Sequence, residues 1–365
     1  MRTARGGGKR LDASGRRASD TGMGTSDTVI AHFRSQAEHC RRLGSPFTAS
    51  LLDAIAECLP QRPGWAAALL AWSGDPQADA LALRVAGALH RAVLENADPE
   101  LAKAYRAHRI GPAQADAALA RQQQRLAEYL QSPPQTNDPQ RSAVLLGGFQ
   151  VIAARTKCPL AIGEIGASAG LNQVWDAYSY LFGAWRWVLR EPAPLTLRAE
   201  WQGNAPPLAP LQVQARAACD IAPIDLADEA QCRRLLSYIW ADQDARLRRV
   251  AAAIAYARAQ KIAVERLNAG AFVERQLAGR PDNAAFVLYH SIVWQYIPQP
   301  EQRAIARAMT QAGAEATEAA PLAWLRFEPG AAKDGADLTL TLWPGGETIR
   351  LAEGDYHGRW VRWLV

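Results

Sequence analysis

The feature that most constrains the fold is a change of hydrophobic period across the linker "QSPPQTNDPQ", residues 131–140. Ahead of it every periodic stretch is helical. Val29, Ile30, Phe33, Ala37, Cys40 and Leu43 recur at steps of mostly three or four residues, which lines one face of a helix. "SPFTASLLDAIAECL" opens with Ser45 at a capping position and Pro46 at the first helical position. "DPQADALALRVAGALHRAVL" and "AQADAALARQQQRLAEYL" continue the pattern. Residues 28–135 therefore read as an all-helical domain.

Beyond the linker, short runs of β-type residues alternate with helical ones. The strands expected are "PLAIGEIG", "LQVQARAACDI", "IAVERLN", "AAFVLYHSI" and "LAWLRFEP", followed by "DLTLTLWPGG" and "TIRLAEGDYHGRWVRWL" as a terminal strand pair. Helices are expected between them, including one over "AGLNQVWDAYSYLF", and "LTLRAEWQGNAPPLAPLQVQAR" reads as an inserted hairpin. This alternation predicts an α/β fold for residues 136–365: a doubly wound, Rossmann-like parallel sheet with an antiparallel C-terminal edge.

Composition narrows the function. Of the formal charge of +5, residues 1–27 contribute +3, with six Lys/Arg against three Asp; that Gly-, Ser- and Arg-rich stretch reads as a disordered basic tail. The +2 left over the remaining chain is too small for a nucleic-acid footprint. No apolar run reaches the roughly 18 to 20 residues of a membrane span, and no apolar stretch of signal-peptide type opens the chain. A cytoplasmic protein with a small-molecule partner is expected, without nucleic acid or membrane. Five cysteines at irregular spacings, with no CxxC pair, read as small buried hydrophobes rather than metal or redox sites.

In open α/β sheets ligands bind beyond the carboxyl ends of the strands. The first strand ends "GEIGASAGLN". Gly166 can take a tight turn, Ala167 and Ser168 let a ligand approach the backbone, and Gly170 lets the next segment pack against the strand. Glu164 would repel a pyrophosphate, so the spacing favours a cationic, phosphate-free ligand with an amino group, such as S-adenosylmethionine. A Gly/Ala turn that serves packing alone is the other reading of this stretch. The second strand ends "ACDIAP", which puts Asp220 where an acid meets ribose hydroxyls; the third ends "VERLNAGAF", where Asn268 can meet the adenine amine. The fourth runs into "FVLYHSIVWQYIP", which puts His290, Ser291, Trp294, Gln295 and Tyr296 at the cleft.

The pieces "EIGASAG", "CDIAP", "LNAGAF" and "VLYHSIVWQYIP" resemble class I S-adenosylmethionine-dependent methyltransferases over residues 138–365. From "AHFRSQAEHCRRLGSP" through "SYIWADQ" and "LTLWPGG" to "DYHGRWVRWL", the chain resembles the uncharacterised bacterial family called domain of unknown function 2332. The methyltransferase resemblance implies a methyltransferase fold using S-adenosylmethionine, with Glu164, Gly166, Ser168 and Gly170 in the methionine-side loop, Asp220 on the ribose and Asn268 on adenine. Two positions depart from that pattern: Ser168 stands where a glycine is usual and Asn268 where an aspartate is common.

Methyl transfer needs mainly an acceptor held in line, and a base only if the acceptor loses a proton. His290 is the candidate base and Tyr296 a second catalytic candidate; Trp294 and Tyr296 can face a sulfonium by cation–π contact. Ser291, Trp294 and Gln295 fall on the substrate side. Structural packing is the alternative reading of His290 and the aromatics. His290 and Ser291 do not make a hydrolase pair, because neighbours on a strand point to opposite faces and no GxSxG elbow occurs. "SYIWADQDARLRR" reads either as a lid or as a helix corner capped by Asp242. His357, Arg359 and Trp360 read as packing on an edge hairpin, with a substrate-side role as the alternative. The N-terminal helices are expected to cap the substrate mouth.

Overall fold

The computed structural model describes residues 25–61, 64–183, 185–331 and 335–365. Of the tail expected over residues 1–27, residues 1–24 lie outside the described ones, while Thr25 to Asp27 already form the start of the first helix.

Among the described residues of 25–130 the α-helices are α1 (Thr25–Arg42), α2 (Pro46–Cys58), α3 (Ala67–Leu70), α4 (Leu81–Leu94), α5 (Pro99–Arg106), α6 (Pro112–Arg121) and α7 (Gln123–Leu130). The apolar faces meet in one cluster that holds Phe33, Leu52, Ile55, Leu89 and Tyr129. Two local expectations are corrected. The long helix expected over residues 113–130 breaks at Gln122, which is non-helical and separates α6 from α7. Ser45 sits at the N-cap of α2 but gives its helix no side-chain cap; its hydroxyl donates to Asp242, which also accepts the Phe47 amide at 2.9 Å. Asp242 thus caps α2 from a distant segment instead of capping its own corner, because a carboxylate satisfies the free first-turn amides of any helix end it reaches.

After the linker come α8 (Ser142–Thr156), β1 (Leu160–Ile165), β2 (Ser179–Phe182), β3 (Trp185–Val188), β4 (Thr196–Arg198), β5 (Glu200–Gln202) and β6 (Val213–Asp220). Then follow α9 (Glu229–Ser237), α10 (Asp244–Ala259), β7 (Glu265–Arg266), α11 (Ala269–Ala278), β8 (Ala285–Ser291), α12 (Gln299–Ala314), β9 (Leu322–Pro329), β10 (Ala336–Trp343), β11 (Glu347–Gly354) and β12 (Trp360–Trp363). The large sheet has the order β7-β6-β1-β8-β9-β10-β11-β12-β5. Its first five strands are parallel, and β10, β11 and β12 reverse direction in turn. This is a Rossmann-like α/β sheet whose strand order reverses between β1 and β8, the place where such sheets leave a crevice. Every residue of β1 and β8 is buried, the pattern of central parallel strands covered on both faces.

One face packs against α8, α10 and the 171–177 turn, around Phe149, Ile162, Trp175 and Tyr289. The other packs against α11 and α12, around Ile165, Phe272, Leu288 and Met309. Helix α8 is buried from Ser142 to Ala153 and lies tight on the sheet. A Cβ on Gly147 would come within 2.5 Å of Trp363, and one on Gly148 within 2.4 Å of Leu325.

Three expectations after the linker are corrected. The helix expected over 169–182 is a 3-10 turn (Leu171–Ala177) followed by β2, because Tyr178 is extended and Tyr180, Phe182, Trp185 and Trp201 join one aromatic patch. The expected inserted hairpin is absent: β4 joins β2 and β3 in a small separate sheet, while β5 pairs in parallel with β12. The expected terminal pair gains a third strand, β12, and the outermost strand at that end is β5, parallel to its neighbour.

Helix α9 joins the two halves by packing on α4. Ser237 at its end takes the Tyr129 hydroxyl at 2.7 Å and the His90 Nδ1 at its carbonyl, 3.2 Å. Tyr238, Trp240 and Ala241 pack on the N-terminal helical cluster, so the tip considered as a lid is seated on helices. Among the described residues no helix is long and apolar enough to cross a membrane. Cys40, Cys58, Cys219 and Cys232 are buried and Cys158 is half-buried.

Candidate functional site

At the carboxyl end of β1, Glu164 is 2% exposed. Its register partner Tyr289 on β8 shares its sheet face, and Tyr289 donates its hydroxyl to Glu164 Oε2 at 3.0 Å. Gln173, in the 3-10 turn beyond the loop, donates its Nε2 to the same oxygen at 2.9 Å. Burial pushes the Glu164 carboxyl up to about 7, against the pull of these two bonds and of the nearby Arg141. A buried acid poised near neutrality is the kind of group that marks a functional site.

The loop after β1 takes the left-handed region at alternate residues: Gly166 at φ +66°, Ser168 at +53° and Gly170 at +70°. Glycine adopts this region freely, and a Cβ on Gly166 would also strike Val293 at 2.3 Å. Ser168 adopts it at a cost of about 1 kcal/mol or more, the order typical of a strained backbone residue. Its amide donates to Asp220 Oδ2 at 2.9 Å, and its carbonyl accepts from Ile224. Its buried Oγ has no partner among the described residues.

Asp220 ends β6 and spends both carboxylate oxygens on backbone, Oδ2 on Ser168 and Oδ1 on Ala222 at 2.8 Å. Asn268 is exposed and forms the N-cap of α11, its carbonyl oxygen accepting from the Ala271 amide at 2.8 Å. The structure therefore brings Ser168 and Asp220 into direct contact, and it leaves Asn268 engaged at the head of its own helix.

His290 lies on the opposite sheet face from Glu164, as strand alternation requires. Its ring is fully buried, stacked on Trp294 at 5.0 Å and tilted against Trp324. Nδ1 meets Glu328 Oε1 at 2.6 Å, and Glu328 also accepts the Val293 amide. A carboxylate only accepts, so this bond assigns a proton to Nδ1. Nε2 has no partner among the described residues. Between Ser291 and Val293 the chain passes through Ile292 at φ +54°, an outlier for a β-branched residue and a local strain at the strand end. Ser291 is buried, Trp294 is half-buried, and Gln295 and Tyr296 are exposed, Tyr296 by 75%.

Sequence reasoning missed Gln173, Tyr289 and Glu328. Tyr289 was findable, since it sits beside His290 and alternation turns it to the Glu164 face. Glu328 was findable too, because it ends the fifth parallel strand and the strand-end rule was applied to four. It also missed a polar cluster next to the site. Asp138, fully buried, is met by Arg246 Nε at 2.8 Å and lies 3.6 Å from Arg249 Nε and 3.9 Å from His357 Nδ1. Burial opposes its ionisation, but Arg246 and Arg249 outweigh that and hold its carboxyl at about 2. Arg141 is buried among carbonyls, its Nε on Tyr356 at 3.1 Å.

The profile of a family described as "Uncharacterized protein conserved in bacteria (DUF2332)" matches residues 31–363. No curated protein and no solved structure matches the chain.

Proposed function

The chain belongs to this family of uncharacterized bacterial proteins, and from that premise and the strand-end geometry we propose that it is an S-adenosylmethionine-dependent methyltransferase acting on a small-molecule acceptor. One observation carries the reading: an acidic strand end at the reversal of strand order, where Glu164 stands beside a loop with three left-handed residues. Fit is supported by the unpartnered Ser168 Oγ in that loop, a buried polar atom that a bound ligand would satisfy.

In this reading Glu164 holds the ligand's amino group, Gly166, Ser168 and Gly170 cradle its methionine side, Asp220 faces the ribose and Asn268 the adenine. Bound there, S-adenosylmethionine supplies a methyl group already activated on a sulfonium. The chain's own work is then orientation and exclusion of water. His290, its Nδ1 held by Glu328, takes a proton at Nε2 from the acceptor where one must leave. Ser291, Trp294, Gln295 and Tyr296 belong to the acceptor side, and the N-terminal helices cover its mouth. The near-balanced charge of residues 28–365 favours a small molecule over nucleic acid.

A second reading, a degenerate methyltransferase-fold protein with a binding or regulatory role, is favoured by one observation. Asp220 and Asn268 already use their acceptor oxygens within the chain. Incubation with methyl-labelled S-adenosylmethionine and the small-molecule fraction of a bacterial extract separates the two. Label in a product, lost in His290→Gln, is expected; a protein that binds the ligand yet labels nothing belongs to the second reading.

A further inference from the structure

We propose that the cluster formed by residues 137–141, the first two turns of α10 and the turn joining β11 to β12 is an anion site built for a carboxylate or phosphate group. Four guanidiniums converge there: Arg141, Arg246, Arg249 and Arg359. The ionised carboxylates that face them are Asp138 and Asp355, with Glu164 and Glu328 farther off in the field of Arg141. Arg359 is matched one to one, since Asp355 takes its Nε at 3.1 Å and its Nη2 at 2.6 Å. Arg246 and Arg249 share the single carboxylate of Asp138, and the Arg249 Nε has no hydrogen-bond partner among the described residues. Positive charge in surplus, in a place largely removed from water, is costly until a counter-charge enters.

His357 reports on the same field. Burial and the Arg246 charge push its imidazole down to about 3, although Asp138 and Asp355 pull the other way. A neutral ring that accepts from Arg246 Nη2 at Nδ1, 3.3 Å, carries its proton on Nε2. That N–H and the Arg249 fork, whose Nε has no partner among the described residues, are the donors offered to a ligand. Planar guanidinium forks match the oxygen pairs of carboxylates and phosphates. At 3.5 Å the Arg141 Nη1 approaches the carbonyl of Ser291, which ends β8, so the cluster adjoins the proposed acceptor side. That the anionic ligand is the methyl acceptor rests on the function proposed above; that an anion binds does not.

The test follows the His357 ring by NMR in the full chain, with its signal assigned by loss in His357→Gln, during titration with inorganic phosphate and, separately, acetate. Saturable shifts with at least one anion are expected. Arg249→Gln should weaken binding about tenfold, the size of one lost charge-assisted hydrogen bond; Arg249→Lys, which keeps the charge but removes the Nε donor, serves the same purpose if the first variant is not folded. No saturable shift at millimolar anion, or equal affinity in the folded variants, overturns the site. Anion binding without S-adenosylmethionine binding leaves this site standing and removes the proposed function; the reverse result removes the anion site alone.

Discussion

Glu164 concentrates the conflict between stability and use in one side chain. Its carboxyl is raised from an ordinary 4.5 to about 7 by burial, so the folded chain holds this proton where the unfolded chain has released it. Stability is therefore present below about 4.5 and is lost as pH rises through about 7, by roughly 3 kcal/mol at most. His357 and Asp138, both lowered, act in the opposite sense and lose stability as pH falls. Comparing variants isolates Glu164: Glu164→Gln keeps an acceptor for Gln173 and Tyr289 but cannot ionise. Urea unfolding should show the Gln variant more stable than the parent by about 1 to 3 kcal/mol at pH 8 and little changed at pH 5. A parent equally stable at pH 8 would mean the carboxyl is not desolvated. The sequence supplied Glu164 as an oddity at a strand end, but its partners lie nine and 125 residues away, beyond any local pattern.

At the scale of elements, the close seating of α8 on the sheet decides how well the strand ends are aligned. Gly147 faces Trp363 with no room for a methyl group, so Gly147→Ala should force a shift and destabilise by about 1 to 3 kcal/mol, read as a lowered urea midpoint. An unchanged midpoint would mean that Trp363, near the chain's end, simply swings aside. Elements with a strong period were legible: α1, α2, α8 and the central parallel strands fall where the pattern put them. The stretch 171–182 was not, since "LNQVWDAYSYLF" fits a helical period and its fate depends on aromatic contacts with Phe149 and Trp187 made after the chain has folded back. The expected hairpin failed for a similar reason. β4 and β5 are adjacent in sequence, yet each finds its hydrogen bonds in a different sheet.

For the whole molecule, the change of period at residues 131–140 carried the architecture, and the order of strands gave the reversal between β1 and β8. The proposed function rests, in the sequence, only on residue types at strand ends. What those ends contact was hidden: Asp220 and Asn268 are the right residue types for a nucleoside, and the folded chain uses their oxygens on its own backbone. Arg246, Asp138 and His357 come from three distant segments, so no spacing in the sequence announces their cluster. The central claim is that the loop 164–170 and the strand ends beside it bind S-adenosylmethionine, and calorimetric titration of the full chain with it and with its demethylated product tests this most directly. Saturable heat with both ligands, abolished in Asp220→Ala while the helical circular dichroism is kept, is the predicted result; no heat and no thermal shift at millimolar concentrations of either ligand contradicts the claim.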